Sequence, residues 1–72
     1  MITSVHEVYV GKTPDCAGLW TYLICRVTSV RTVYSLIRIR GDLCRMERLG
    51  YEITLRHCRR IIKQHQPEYQ KV

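Results

Sequence analysis

The sequence predicts a small α+β domain, in which an antiparallel sheet of two or three strands is followed by two C-terminal helices. Residues 2–40 are rich in β-branched and aromatic types, which favour strands. The pattern changes at Gly41, after which residues that begin and end helices appear. The last third contains an amphipathic segment of helical periodicity. A chain of 72 residues is expected to fold as one domain over its whole length, 1–72.

Strands are expected at about residues 2–10, 19–27 and 30–40. The first is followed by GKTPDCAG, the clearest loop in the chain because it contains two Gly and one Pro. The second, LWTYLICRV, is a nearly unbroken apolar run of strand length. In the third, one parity carries Val33, Ile37 and Ile39 and the other carries Thr32, Tyr34, Arg38 and Arg40, as in a half-solvated strand. Since Leu19, Leu23 and Val27 also repeat at helical spacing, an all-α helical array stays open as the alternative.

Two helices are expected after Gly41, at about residues 42–49 and 54–66. Asp42 and Thr54 are candidate N-caps, and Gly50 lies where a left-handed residue would end the first helix. The second helix is expected to stop before Pro67, which leaves residues 67–72 as a tail. Two short helices joined by residues 49–53 have the outline of a helix-turn-helix, in which the second helix lies against DNA.

The predicted second helix separates apolar side chains from cationic ones. At about 100° per residue, Leu55, Cys58 and Ile62 fall in one arc. The cations of the segment fall together in another arc: Arg56, Arg59, Arg60 and Lys63. Like charges on one helix face repel each other by a few tenths of a kcal/mol per pair. We therefore expect this face to contact the phosphates of a nucleic acid.

A second basic group is expected on the third strand and just beyond it. Arg38 and Arg40 share a strand face with Tyr34, and Arg45 follows in the chain. A sheet face with Tyr and Arg can stack bases and contact phosphates. These four residues complete the candidate nucleic-acid-binding set. Trp20, by contrast, lies in an apolar run together with Tyr22, and both are expected to be core residues.

The charge balance indicates an anionic partner. Twelve Lys and Arg against six Asp and Glu give a net charge of +6. Nine of the twelve are Arg, whose planar fork matches phosphate and carboxylate geometry. We expect a basic nucleic-acid-binding protein, with DNA favoured over RNA, of a size that suits a regulator of a phage or mobile element. The alternatives are an inhibitor or adaptor that binds an acidic protein surface, such as that of a nucleic-acid enzyme, and a structural component of a ribonucleoprotein.

The sequence disfavours membrane proteins, secreted proteins, zinc proteins and enzymes. It has no apolar run long enough to span a membrane, and its start lacks a signal-peptide pattern, so a cytoplasmic protein is expected. Its four cysteines lack any C-x-x-C spacing and are expected to be free thiols. A zinc site from Cys44, Cys58, His57 and His65 would match no familiar ligand spacing. Neither a catalytic set nor a cofactor motif is apparent, and the oligomeric state stays open.

Overall fold

The computed structural model describes residues 2–12, 19–40 and 45–72, which form an antiparallel sheet with one helix packed on one of its faces. In chain order the elements are β1 (Ile2–Gly11), β2 (Thr21–Thr28), β3 (Thr32–Arg40), β4 (Arg45–Ile53), α1 (Leu55–His65) and β5 (Tyr69–Lys71). The five strands lie in the order β4-β3-β2-β1-β5. The first four therefore form a meander, and after α1 the chain returns to pair with the far side of β1.

The core lies between α1 and the sheet face beneath it. Its centre consists of side chains that are fully buried: Tyr22, Ile24, Leu36, Cys58 and Ile62. Tyr9 and Trp20 complete the buried cluster at its margin. The register explains this set, because Tyr9 pairs with Tyr22 and Ile24 pairs with Leu36 across neighbouring strands. Residues that pair directly across antiparallel strands point to the same face of the sheet.

The predicted fold class is wrong in its helices. The described residues contain one helix rather than two, and the sheet has five strands rather than two or three. Neither the helix-turn-helix outline nor the all-α array is therefore present. Residues 45–49 of the expected first helix belong instead to β4, which pairs along the edge of β3. The candidate cap Asp42 lies outside the described residues.

Pairing with β3 explains why residues 45–53 form a strand despite their helical spacing. A helix of about seven residues is marginal in water because nucleation is costly, whereas β4 satisfies the unpaired backbone groups of β3. Gly50 does not end a helix but lies opposite Leu36. A Cβ atom on Gly50 would approach Ile53 Cδ1 to 2.5 Å, so its small size allows close packing. Glu52, two residues later, has a left-handed backbone conformation with φ of 55°.

The other predicted elements are confirmed apart from small shifts of their ends. The three predicted strands correspond to β1, β2 and β3, and the second predicted helix corresponds to α1. Thr54 caps α1, since its Oγ1 accepts a hydrogen bond from the backbone N–H of His57 at 3.1 Å. Trp20 and Tyr22 are core residues, as expected. Residues 67–72, expected as a tail, include the short strand β5. Most of the predicted loop 11–18 lies outside the described residues.

The cysteines in the described ranges are free thiols, as predicted. Cys58 is fully buried in the core, and Cys25 is half-buried on β2. Burial raises the pKa of the Cys58 thiol to about 11 and also raises the pKa of Cys25. Both thiols are consequently protonated at neutral pH. Cys16 and Cys44 lie outside the described residues.

Candidate nucleic-acid interface

The outer face of α1 presents a stripe of exposed cations. Arg56, Arg60 and Lys63 are all exposed, and none forms an ion pair with the described residues. Their spacing of four and three residues aligns them along one side of the helix. On the opposite side of α1, Cys58 and Ile62 are fully buried against the sheet. We call these three residues the cationic stripe.

The start of α1 increases the positive potential of this surface. The first turn has no acidic residue, although a carboxylate there would favourably offset the helix dipole. Arg56 lies in that turn instead, close to the partial positive charge of the helix N-terminus. A cation at this position destabilises the isolated helix, but it strengthens the attraction of the helix N-terminus for an anion.

Arg59, predicted as the fourth member of the cationic face, is bound within the protein. Its Nε donates to Glu7 Oε1 at 3.2 Å, and its NH2 group donates to both carboxylate oxygens at 3.0 Å. Lys71 Nζ lies 2.9 Å from Glu7 Oε2, and the Tyr9 hydroxyl donates to Glu7 Oε1 at 3.0 Å. One buried carboxylate on β1 therefore connects the helix to β5.

The hydrogen bonds to Glu7 also fix its charge state. Chiefly because Arg59 donates to the carboxylate, the pKa of Glu7 falls from 4.5 to about 2, even though burial acts in the opposite direction. The same hydrogen bonds raise the pKa of Arg59. The Arg59 side chain remains 48% exposed, so its outer edge still adds to the positive potential. Its direct hydrogen-bonding capacity is nevertheless largely used by Glu7.

Two members of the second predicted group, Arg38 and Arg40, lie over the ring of Trp20 rather than beside Tyr34. The guanidinium carbons of Arg38 and Arg40 lie 4.0 Å and 4.1 Å from the centroid of the Trp20 ring. Arg38 also donates two hydrogen bonds to Glu47 Oε2, at 3.1 Å and 2.7 Å, which lower the pKa of that carboxyl. Trp20 is only 6% exposed, so its ring is not available to stack a base.

Tyr34 shares the strand face of Arg38 and Arg40, as the alternation indicated, but lies toward the other end of β3. Leu36 separates it from Arg38, and its ring is tilted against that of His6 with the centroids 5.5 Å apart. Tyr34 is half-buried against the core cluster under α1. It does not form an open platform beside the arginines. Arg45, by contrast, is exposed and pairs with Arg40 across the strands.

The cations are concentrated on the helix side of the sheet. Strand alternation and register place Arg26, Arg38, Arg40, Arg45 and Lys71 on the face that α1 covers, and α1 adds four more. Nine of the twelve Lys and Arg therefore lie on this side. On the paired strands of this side, Glu7 and Glu47 are carboxylates, and both form ion pairs. Arg26 was not among the predicted residues, although its even spacing from Tyr22 and Ile24 could have assigned it to this face.

A groove of about 520 Å³ adjoins the start of α1. It is open to solvent, and its polar lining includes Arg31, Glu52, Thr54 and His57. The described residues contain no group of three or more His, Cys, Asp or Glu side chains that could hold a metal ion. In the same ranges, no helix is long and apolar enough to cross a membrane.

Comparisons with known proteins identify no relative: no family model, no curated protein and no solved structure matches this chain.

Proposed function

We propose that this protein binds nucleic acid, duplex DNA before RNA, through phosphate contacts made by the cationic stripe of α1. The observation that supports the proposal is that Arg56, Arg60 and Lys63 are exposed and have no ion-pair partner among the described residues. An ion pair within the protein would have to break before a phosphate could bind. These three side chains need no such exchange.

The spacing of the stripe suits the backbone of a duplex. At about 1.5 Å of rise per residue, Arg56 and Lys63 lie about 10 Å apart along the helix axis. One DNA strand places a phosphate every 3.4 Å or so along the duplex axis, so this length corresponds to about three phosphates. Phosphate contacts of this kind position a protein without selecting a base sequence. The proposed binding is therefore weakly sequence-dependent.

The Glu7–Arg59 ion pair has a positioning role in this proposal. It links α1 to β1 and β5, so the stripe is held in one orientation over the sheet. Since Arg59 is engaged with Glu7, we count three direct phosphate contacts rather than four. Arg45 and Arg26 lie on the same side and extend the positive surface at its margins.

The salt dependence of DNA binding tests the proposal. Fluorescence anisotropy with a labelled duplex of about 20 base pairs should give a slope of log K against log salt near −2.7, at about −0.9 per phosphate contact. The double variant Arg56→Ala/Arg60→Ala should have a slope near −0.9, because about two contacts are lost. A charge-matched control is Lys12→Ala/Arg48→Ala: both residues are exposed, Arg48 pairs with Ile37 on the sheet face away from α1, and Lys12 directly follows the end of β1. The control should keep most of the wild-type slope.

Two outcomes would overturn the proposal. One is an absence of affinity for both duplex and single-stranded DNA at low salt, which would favour an acidic protein partner instead. The other is equal flattening of the slope in the two double variants, which would mean that net charge rather than the stripe determines binding. Tighter binding to single-stranded DNA than to the duplex at the same salt concentration would refute the choice of duplex DNA as the target.

A further inference from the structure

The sheet face opposite α1 is apolar. It consists of the alternate residues of β1–β4 that point away from the helix, as strand pairing shows for Val8 with Leu23 and for Leu23 with Ile37. No described residue range forms an element that packs on it. We call it the open sheet face. Its apolar members are Val5, Val8, Val10, Leu23, Cys25, Val33, Ile37, Ile39 and Met46, and Val27 at one end of the face is already buried within the chain.

This composition is unusual for a sheet face in contact with water. An antiparallel sheet with one solvated face alternates apolar residues facing the core with polar residues facing water, whereas strands covered on both faces form continuous apolar runs. β2 follows the second pattern at its centre, where Tyr22 and Ile24 face α1 and Leu23 and Cys25 face the other way. The sequence pattern of the strands is therefore the one expected for a sheet that is covered on both faces.

We infer that a second copy of this chain covers the open sheet face, so that two sheets stack with their helices outermost. Polar members of the face are few: Thr3, Thr21 and Ser35 lie between the apolar residues, and the charge among the described members is confined to Arg48 on the edge strand β4. Arg48 lies over the ring of Tyr51, at 4.9 Å from its centroid. An apolar surface without a pattern of opposite charges is complementary to itself, as a twofold interface requires.

The area of the face is sufficient for such a dimer. β2, β3 and β4 have eight or nine residues each, and β1 has ten. At about 3.3 Å per residue and 4.8 Å between strands, the four cover about 500 Å² on each copy. Two stacked copies would bury about 1,000 Å² in total, close to the lower limit for a specific interface. Interfaces near this limit are typically weak, so we expect a dimer that dissociates on dilution. The inference does not depend on nucleic-acid binding.

The mass of the protein in solution tests this inference. Size-exclusion chromatography with light scattering, from about 5 to 200 μM, should show a rise from 8.6 kDa toward twice that mass. Leu23→Lys should raise the dissociation constant about 100-fold, because it places a charge at the centre of the interface. Thr28→Lys is the matched control: it adds the same charge to β2 at an exposed position that points to the other side of the sheet. The control should dimerise as the wild type does.

A second measurement uses the wild-type protein alone and so does not depend on the folding of a variant. Cys25 lies on the open sheet face, and Cys58 lies in the core. The rate of Cys25 alkylation, located by peptide mass spectrometry, should fall several-fold from the lowest to the highest protein concentration, while Cys58 stays protected throughout. A monomeric mass at every concentration, an unchanged Cys25 rate, or a folded Leu23→Lys variant that still dimerises would each overturn the inference.

Discussion

Protonation of Glu7 should remove much of the stability of this protein at acid pH. The pKa of the carboxyl is about 2 in the folded chain against an ordinary value of 4.5, first because Arg59 donates hydrogen bonds to it. Between pH 2 and pH 4.5 the unfolded chain therefore binds more protons than the folded chain does. The contribution of Glu7 to stability is fully present above about pH 4.5 and decreases as the pH falls toward 2. A difference of about 2.5 in pKa corresponds to about 3 kcal/mol.

That value is an upper limit. Although Glu7 is buried, the side chains of Arg59 and Lys71 are about half exposed and can recover hydration when the carboxyl is neutralised. We expect a loss of about 2 kcal/mol. For a chain of 72 residues the total free energy of unfolding is about 4–11 kcal/mol. A loss of this size should thus be easily measured and should leave the protein folded.

Urea titrations followed by the fluorescence of Trp20, the single tryptophan, provide the assay. Wild type and Glu7→Gln should differ by about 2 kcal/mol at pH 7 and converge by about pH 2. Glu52→Gln, which changes an exposed side chain that forms no ion pair with the described residues, is the control and should have the wild-type stability at pH 7. The pKa of Glu47 is also lowered, so Glu47 contributes to the pH dependence of both proteins. The informative quantity is therefore the difference in the free energy of unfolding between wild type and Glu7→Gln at each pH. A difference that stays constant from pH 7 to pH 2 would refute the reasoning.

Three further changes probe the fold itself. Thr54→Ala removes the oxygen that accepts from His57 N–H, and should lower the free energy of unfolding by about 1 kcal/mol in urea titrations. Leu36→Ala removes a fully buried side chain and should lower the free energy of unfolding by about 3 kcal/mol. Val30→Ala, which changes a fully exposed side chain, should lower it by less than about 0.5 kcal/mol. With a pKa of about 11, the Cys58 side chain at pH 8 should be present as thiol rather than thiolate by about a thousand to one. It should therefore react with a disulfide reagent only after unfolding.

Local pattern was enough to locate the first three strands and α1, but not β4 or β5. From Leu43 to Leu49 the apolar spacing fits one helix face, and Gly50 fits a helix end equally well. These residues form a strand because they pair with the free edge of β3, and this pairing cannot be read from the sequence of the segment itself. β5 has only three residues, and its position is determined by the edge of β1, some sixty residues away in the chain.

The candidate site shows the same limit. Helical periodicity was sufficient to group Arg56, Arg60 and Lys63, and the structure places all three on the exposed side of α1. Periodicity could not distinguish Arg59, which lies at the margin of that arc. Its partner Glu7 is fifty-two positions away and becomes a neighbour only when α1 folds over β1. Likewise, Trp20 was assigned to the core correctly, but the two arginines stacked on it follow from strand register alone.

The cationic stripe and the open sheet face lie on opposite sides of one sheet, and this arrangement has a consequence for both proposals. In a stacked dimer the sheets would be about 10 Å apart, and each helix, about 10 Å across, would lie on the far side of its own sheet. The two helices would then be about 30 Å apart, more than three times the Debye length of about 8 Å at physiological salt. Repulsion between two chains of charge +6 is therefore largely screened at the interface. The same geometry directs the two stripes away from each other, so a dimer could not bind one straight duplex with both helices. It would instead hold two duplex segments, one against each outer face.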